Sequence, residues 1–550
     1  MATAAGIFVL FLAMAPWTTL WDRDEPRFAQ ATVEMLASHQ YLYPTFNGHL
    51  RADKPILIYW LMALPMHLLG PRELAARFWS PAGLAAAALL TAFIGRRLIS
   101  QHAGWWAMAM LAATPLTLME GLAATTDAVL LAAITGAMAA FAASLTHGPK
   151  AVHVLAMTAC LTLAQLAKGP VGLAVPLVAM AGALVWLRWR EESRADLSVH
   201  VLAAGLAAFA SIGFFLVWAI PANAATAGEF ARRGLGHHVI ERSLVPLEGH
   251  GGNFFISLPF YLAIVLVGFA PWTLYLPGAV SVLLGGRSFE ARARALLIGW
   301  TAPVLLMFTL VATKLPHYVL PIWPALALAA GGTLAAADRL APCDRLWLRR
   351  GAWLFGPLAL LETAGLFVVA WQPPLAGLRG PCLALAVAVL ATAAAALRPH
   401  FRGDIRRGAG VLLAGTLLAQ FLATAWMLPV LDRLKPVPPL AAAIREKTPA
   451  SAPLATFEFD EPSLVFYVER NPVAPLPSAR AVAAWARAGG YGVLVLPRDA
   501  LSRVAHAYGP LPLREIASAR GINVAKGRRL ELVALSRNLP AGGQSFRHLR

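Results

Sequence analysis

The chain has 550 residues, 58% hydrophobic and only 13% charged, with a mean hydropathy of +0.63. That balance excludes an ordinary soluble domain, a disordered chain and a fibrous repeat, and points to an integral membrane protein. The formal charge of +18 does not indicate a nucleic-acid partner, because the Arg residues sit between apolar runs rather than on one basic face.

The first apolar run, Ala2 to Trp21, is expected to be a retained helix. Ala13-Met14-Ala15 resembles a signal-peptide cleavage site, but no basic residue precedes the run and Pro16 follows. Stretches long enough to cross a roughly 30 Å hydrocarbon layer start near residues 2, 74, 103, 125, 151, 170, 199, 254, 294, 316, 351, 381 and 409, giving about thirteen spans. One alternate set of loops, with Arg96, Arg97, Arg188, Arg190, Arg349, Arg350, Arg406 and Arg407 among its members, holds seventeen Lys and Arg against eleven in the other set. It is therefore expected to be cytoplasmic. An odd number of spans then leaves the N-terminus cytoplasmic and the C-terminal end on the outer side. The outer basic residues concentrate in two long loops, residues 22–72 and 222–252, as an outward-facing anionic substrate would require. Simple solvation is the bland alternative.

The first long loop opens Trp21-Asp22-Arg23-Asp24-Glu25-Pro26-Arg27-Phe28, a dense group of carboxylates and guanidinium groups at the end of a membrane helix. Phe28, Ala31, Met35 and Leu36 recur at helical spacing after Glu25-Pro26, predicting a helix lying flat on the membrane. Pro55 starts a second apolar, aromatic-rich helix with Lys54 at its mouth. Beyond residue 431 the composition changes. Asp432 to Pro439 reads as a linker, then Leu454–Phe459, Leu464–Glu469, Tyr491–Leu496 and Arg529–Ser536 read as strands, with helices over Ala479–Ala488 and Asp499–Tyr508. The expected organisation is a mainly α, polytopic membrane domain over 1–431 and a small α/β domain over 432–550. Cys160, Cys343 and Cys382 are too far apart to suggest a disulfide framework or a metal-spaced cluster.

Asp24-Glu25-Pro26-Arg27-Phe28-Ala29, Glu34-Met35-Leu36, Asn47-Gly48, Lys54-Pro55 and Tyr59-Trp60-Leu61 resemble the dolichyl-phosphate-mannose protein mannosyltransferase superfamily, on its bacterial lipid A aminoarabinose transferase branch. The likeness continues through Asp127, Lys168-Gly169-Pro170 and Lys314-Leu315-Pro316-His317-Tyr318-Val319-Leu320-Pro321. It implies a GT-C-type inner-membrane glycosyltransferase, inverting if a hydroxyl is the acceptor, using a polyprenyl-phosphate sugar on the periplasmic face. It also implies that Asp24 is the catalytic carboxylate, with Asp127 as a second acid of the outer face.

A lipid-linked donor needs an apolar groove for its tail and cations for its phosphate. Lys54, Arg242, Lys314 and Tyr318 stand on loops or helix ends of one expected face, with Arg27, Glu25 and Tyr59 as further donor-binding candidates. The alternatives are a snorkelling Lys54, a capping or salt-bridged Asp24 or Glu25, and an Asp127 that only caps its helix after Thr125-Thr126. The functional reading of Asp127 is an outer-face acid that positions a sugar or a basic partner such as Arg27. His237, His238 and Asp53, with Glu241 and His250 near in sequence, are candidate ligands for a structural zinc ion. The resemblance implies no metal requirement for the transfer itself. The expected partners are the lipid-linked sugar, a lipid or protein acceptor and membrane lipids. Aminoarabinose transfer to lipid A is the leading version, with protein O-mannosylation as its neighbour. Glu362, in the middle of an apolar run, is the feature that favours a lipid-linked sugar transporter instead.

Overall fold

The structure is a computed structural model, described for residues 1–190, 197–234, 258–285, 288–524 and 526–537. Ten helices among the described residues are long and apolar enough to cross a membrane, from Glu73–Leu98 to Ile405–Asp432. A bent pair, Phe260–Gly268 and Trp272–Gly285, makes an eleventh if counted as one span. Ten or eleven among the described residues compare with the expected thirteen or so. Ala2–Met14 is short, and the run from residue 101 divides into Gln101–Ala112 and Pro115–Leu122. Pro115 cannot donate to the preceding turn, and Thr114 restarts the helix by accepting the Thr117 amide through Oγ1 at 3.3 Å.

Small residues set the closest helix contacts, as expected where lipid removes the hydrophobic advantage of association. A Cβ on Gly299 would come within 2.1 Å of the Ala183 amide nitrogen, and one on Gly83 within 2.6 Å of the Ala128 carbonyl oxygen. The second approach fixes the first turn of Asp127–His147 against Glu73–Leu98, and so fixes the position of Asp127.

The first long loop forms helices Asp24–Ser38 and Leu57–Leu69 with a small hairpin between them, β1 (Thr45–Phe46) and β2 (His49–Leu50). Asp24–Ser38 does not lie as a free surface helix. Phe28, Ala31 and Met35 are buried with Ile58, Tyr59 and Met62, and Phe466 from the C-terminal region joins the same core. Glu34 organises the hairpin by accepting from Thr45 Oγ1 at 2.8 Å, the Asn47 amide at 2.7 Å and the Gly48 amide at 3.2 Å.

The C-terminal region is an α/β unit whose sheet comprises β3 (Leu454–Thr456), β4 (Val473–Pro475), β5 (Gly492–Pro497), β6 (Arg514–Asn523) and β7 (Arg528–Arg537). Their order is β4-β3-β5-β7-β6, with β3 parallel to both β4 and β5 and β7 antiparallel to β5 and β6. The expected strand over Leu464–Glu469 is instead helix Pro462–Val468. It is buried almost all round, which removes the periodicity that separates a helix from a strand, and Pro462 starts it. The expected linker also ends early, since Val437–Lys447 is helical with Pro438 and Pro439 in its first turn. β4 and β6 were not foreseen.

The unit sits on the first loop. Asn47 exchanges two hydrogen bonds with the Val473 backbone at 2.7 and 2.8 Å. The Ser463 amide donates to Asp22 at 2.8 Å, and the Ser463 hydroxyl donates to the other Asp22 oxygen. Tyr467 donates to Glu73 at 2.8 Å and accepts from the Leu20 amide at 2.7 Å. Burial lifts the Asp22 carboxyl to about 6; the Ser463 hydrogen bonds oppose that rise and the nearby Glu461 charge adds to it.

Candidate active site

At the end of the bundle that carries the first loop, a cavity of about 190 Å³ opens between helix termini. Its apolar wall includes Leu130, Leu131, Val171, Phe215, Trp218 and Phe308, and its polar wall includes Asp53, Lys54, Asp127, Lys168, Asn223, His317 and Tyr318. Apart from Asp53 and Lys54, these polar groups stand near helix ends. Asp127 opens Asp127–His147, and Lys168 closes Ala151–Lys168. Gly169, at φ +61°, then turns the chain directly into Pro170–Trp189, a reversal that favours glycine followed by a helix-starting proline.

Lys168 Nζ donates to Asp127 Oδ1 at 2.5 Å and lies 5.3 Å from the centre of the Tyr318 ring. Lys168, not Arg27, is therefore the basic partner of Asp127. Behind them lies Glu120, buried in Pro115–Leu122. It accepts from Thr125 Oγ1 at 3.2 Å, and its other oxygen is 3.9 Å from His317 Nδ1.

Lys54 and Asp53 reach the cavity from the first loop. Arg51, itself buried, pairs with Asp53 at 2.7 Å, donates to Tyr59 Oη at 3.0 Å and lies 5.0 Å from the centre of the Phe28 ring. Asp24 is exposed at the first turn of its helix, outside the cavity lining, within electrostatic reach of Arg51 and His317. Lys54 also lies within reach of His317, so Asp24 and Lys54 converge on one end of the bundle.

Three expected binding residues do other work. Glu25 is closed off from the cavity: its oxygens take Arg77 at 2.7 and 2.8 Å, the Trp21 amide at 2.7 Å and the Ala124 amide at 2.6 Å. Lys314 caps the end of Ala291–Leu310, donating to the carbonyls of Phe308, Thr309 and Val311 at 3.1, 2.5 and 2.6 Å. Tyr59 is wholly buried under Phe28 and holds Arg51. Arg27 is half-buried on Asp24–Ser38 and is not part of the cavity lining. Arg242, His237, His238, Glu241 and His250 lie outside the described residues, and among the described residues no group of three metal-binding side chains occurs. Asp53, the described member of the expected zinc set, is engaged by Arg51.

Lys168 and His317 belong to motifs read in the sequence but had no role there, and Glu120 went unnoticed. A carboxylate inside the apolar run Leu118-Met119-Glu120-Gly121, a few residues before Thr125-Thr126-Asp127, is the signal that would have found it.

Residues 53–218 match the family model described as dolichyl-phosphate-mannose-protein mannosyltransferase. The undecaprenyl phosphate-alpha-4-amino-4-deoxy-L-arabinose arabinosyl transferase of Edwardsiella ictaluri is 30% identical over 60% of this chain, a match spanning 58% of that protein's length. The protein of the same name from Pseudomonas paraeruginosa is 29% identical over 74% of this chain and 72% of its own. In fold, the crystal structure of ArnT from Cupriavidus metallidurans bound to undecaprenyl phosphate superposes with a TM-score of 0.79 at 21% identity, covering 98% of both chains. An oligosaccharyltransferase from Archaeoglobus fulgidus superposes at 0.51 with 13% identity, covering 92% of this chain and 68% of its own. The chain is a multi-pass membrane protein with the GT-C fold and a C-terminal α/β unit, and its resemblance to the dolichyl-phosphate-mannose protein mannosyltransferase superfamily, on the side of the aminoarabinose transferases, holds in sequence and in fold.

Proposed function

We propose that the protein is an inner-membrane glycosyltransferase that moves one sugar from a polyprenyl-phosphate carrier to an acceptor on the periplasmic side. One observation carries this reading: an apolar groove opens onto Lys54, Tyr318 and the Asp127–Lys168 pair at a single end of the bundle. The isoprenoid lies along Leu130, Leu131, Phe215 and Phe308. Lys54 faces the phosphate, with Tyr318 beside it, and together they stabilise the charge that grows on the leaving phosphate as the anomeric carbon–oxygen bond breaks. An acceptor oxygen forms the new bond from the opposite face of the sugar. For a hydroxyl acceptor, Asp24 takes its proton as general base. For a phosphate acceptor, which is already largely ionised because its second pKa is about 6, Asp24 positions the attacking group instead. A zinc ion held by Asp53, His237 and His238 would order the two long loops against each other.

The relatives' names support a 4-amino-4-deoxy-L-arabinose donor; with lipid A as acceptor this is the leading specific version, and protein O-mannosylation would use the same first-loop residues. Transport of the lipid-linked sugar without chemistry is the reading of a different class. Its main support, Glu362, lies in Pro342–Trp371, which contributes no residue to the cavity lining.

Purified full-length protein incubated with radiolabelled polyprenyl-phosphate sugars and either lipid A or acceptor peptide tests the reading. Label joined covalently to one acceptor, and lost in Asp24→Asn, is expected. Movement of the carrier across vesicle membranes with no covalent product, unaffected by Asp24→Asn, would overturn it.

A further inference from the structure

Asp24 is exposed and opens its helix, which no side chain caps among the described residues. Its placement therefore depends on the irregular backbone that leads into it, and each of the five residues before it is met by a side chain from 432–467. Asp432 accepts from the Thr19 amide at 3.1 Å and from Thr19 Oγ1 at 2.6 Å. Lys435, itself buried, donates to the Thr19 and Leu20 carbonyls, both at 3.1 Å, and its ammonium lies 3.4 Å from the centre of the Trp21 ring. Tyr467 accepts from the Leu20 amide at 2.7 Å, Ser463 donates twice to Asp22, and Glu461 pairs with Arg23 at 3.4 Å.

From the membrane part, Arg77 holds the same stretch, donating to the Thr18 and Thr19 carbonyls at 2.8 and 3.0 Å while it pairs with Glu25. The segment is thus clamped between Arg77 on one side and the chain after the last span on the other, and Asp24 follows directly from the clamp. Lys435, Ser463 and Tyr467 are not part of the cavity lining, so the cavity's hold on a carrier does not run through them. Proton transfer needs heavy atoms within about 2.6–3.2 Å, and a displacement of about 1 Å at a reacting group costs on the order of a hundredfold in rate. Contacts that fix the lead-in segment therefore bear on chemistry more than on binding.

We propose that Lys435, Ser463 and Tyr467 are positioning residues, which act through residues 19–23 to aim Asp24 at the acceptor, given the reading above of Asp24 as the group that meets the acceptor oxygen. The chain after the last span then sets the rate of transfer without taking part in carrier binding. Tyr467 ties the segment to the bundle: its one hydroxyl joins the Leu20 amide to Glu73, the first residue of the span Glu73–Leu98. Ser463 fixes the next turn by meeting both oxygens of Asp22.

Full-length protein in lipid nanodiscs, saturated with radiolabelled undecaprenyl phosphate 4-amino-4-deoxy-L-arabinose and mixed with lipid A, gives the single-turnover rate; titration with undecaprenyl phosphate gives carrier affinity. Tyr467→Phe and Ser463→Ala each remove one oxygen. Each is expected to slow transfer by about tenfold or more with carrier affinity unchanged within about twofold. In the Asp24→Asn background the same substitutions should change the residual rate by less than about twofold, because the group they aim is gone. A merely structural role would lower the rate by one factor in both backgrounds, and that result would overturn the proposal. A rate loss matched by lost carrier affinity would overturn it as well. If Tyr467→Phe does not fold, Ser463→Ala, which keeps the Ser463 amide bond to Asp22, carries the same comparison. Wild-type rates in the folded single variants, with transfer still lost in Asp24→Asn, would remove this inference and leave the glycosyltransferase reading intact. A wild-type rate in Asp24→Asn would overturn the role given to Asp24, and this inference with it.

Discussion

Lys168 Nζ meets Asp127 Oδ1 at 2.5 Å, joining the last residue of one span to the first residue of another across 41 positions of sequence. Both side chains are nearly buried, at 11% and 10% exposure, so the pair is held by the fold and not by solvent. Losing one partner leaves the other charge stranded. Lys168→Met is expected to destabilise the protein by about 3–5 kcal/mol, and Asp127→Asn in the same chain to recover much of that loss. Thermal unfolding of the two single variants and the double variant in one detergent gives the coupling directly. Additive losses would show that the contact does not hold in the membrane.

Glu25 and Asp24 are neighbours with different fates. Glu25→Gln breaks a buried pair with Arg77 and should lower thermal stability by about 3 kcal/mol or more. Asp24→Asn should leave stability within about 0.5 kcal/mol, as for exposed substitutions, and reduce the transfer rate to a hydroxyl acceptor by at least about a hundredfold. Parallel melting curves and single-turnover assays separate the two effects.

The two lysines of the expected phosphate site should separate in the same way. Lys54→Ala is expected to weaken undecaprenyl phosphate binding and to cut turnover by about 10²–10³-fold. Lys314→Met removes the donor to three carbonyls, and its effect should appear in unfolding temperature with carrier affinity nearly unchanged. A carrier affinity lost equally in both variants would place Lys314 at the phosphate after all.

Asp22 makes the contact between the first loop and the C-terminal unit sensitive to pH. Burial raises its carboxyl from 3.8 to about 6, so between those values the folded chain holds a proton that the unfolded chain has released. The linked stability is fully present below about pH 4 and is lost as pH rises through about 6. Limited proteolysis of the outer unit should slow between pH 7 and pH 5 in wild type, and Asp22→Asn should flatten that dependence. A steeper dependence in Asp22→Asn would contradict the assignment.

Much of this arrangement was legible in the chain itself. The acidic opening of the first loop, the Lys54-Pro55 helix start and the Lys168-Gly169-Pro170 reversal are local patterns, and local patterns fix where a helix begins or ends. What remained hidden depends on partners distant in sequence. Nothing near Glu25 announces Arg77, and nothing near Lys314 shows that it turns back on its own preceding helix. Leu464–Glu469 misled because an element buried on all sides has no polar face to display its period. Glu120 was masked by the apolar run around it, although a lone carboxylate in such a run is itself the clue. Among the described residues the spans are fewer than hydropathy suggests, in part where Thr114-Pro115 divides a hydropathy peak into two short helices.

Both rims of the C-terminal sheet are taken up by segments from outside it. Asn47 bridges to Val473 on β4, and the Leu434 carbonyl accepts from the Ile522 amide on β6 at 2.8 Å. Bare strand rims invite pairing with other chains. A fragment excised after residue 436 would carry both rims uncovered, so its tendency to self-associate would measure how far the membrane part serves as a chaperone built into the same polypeptide.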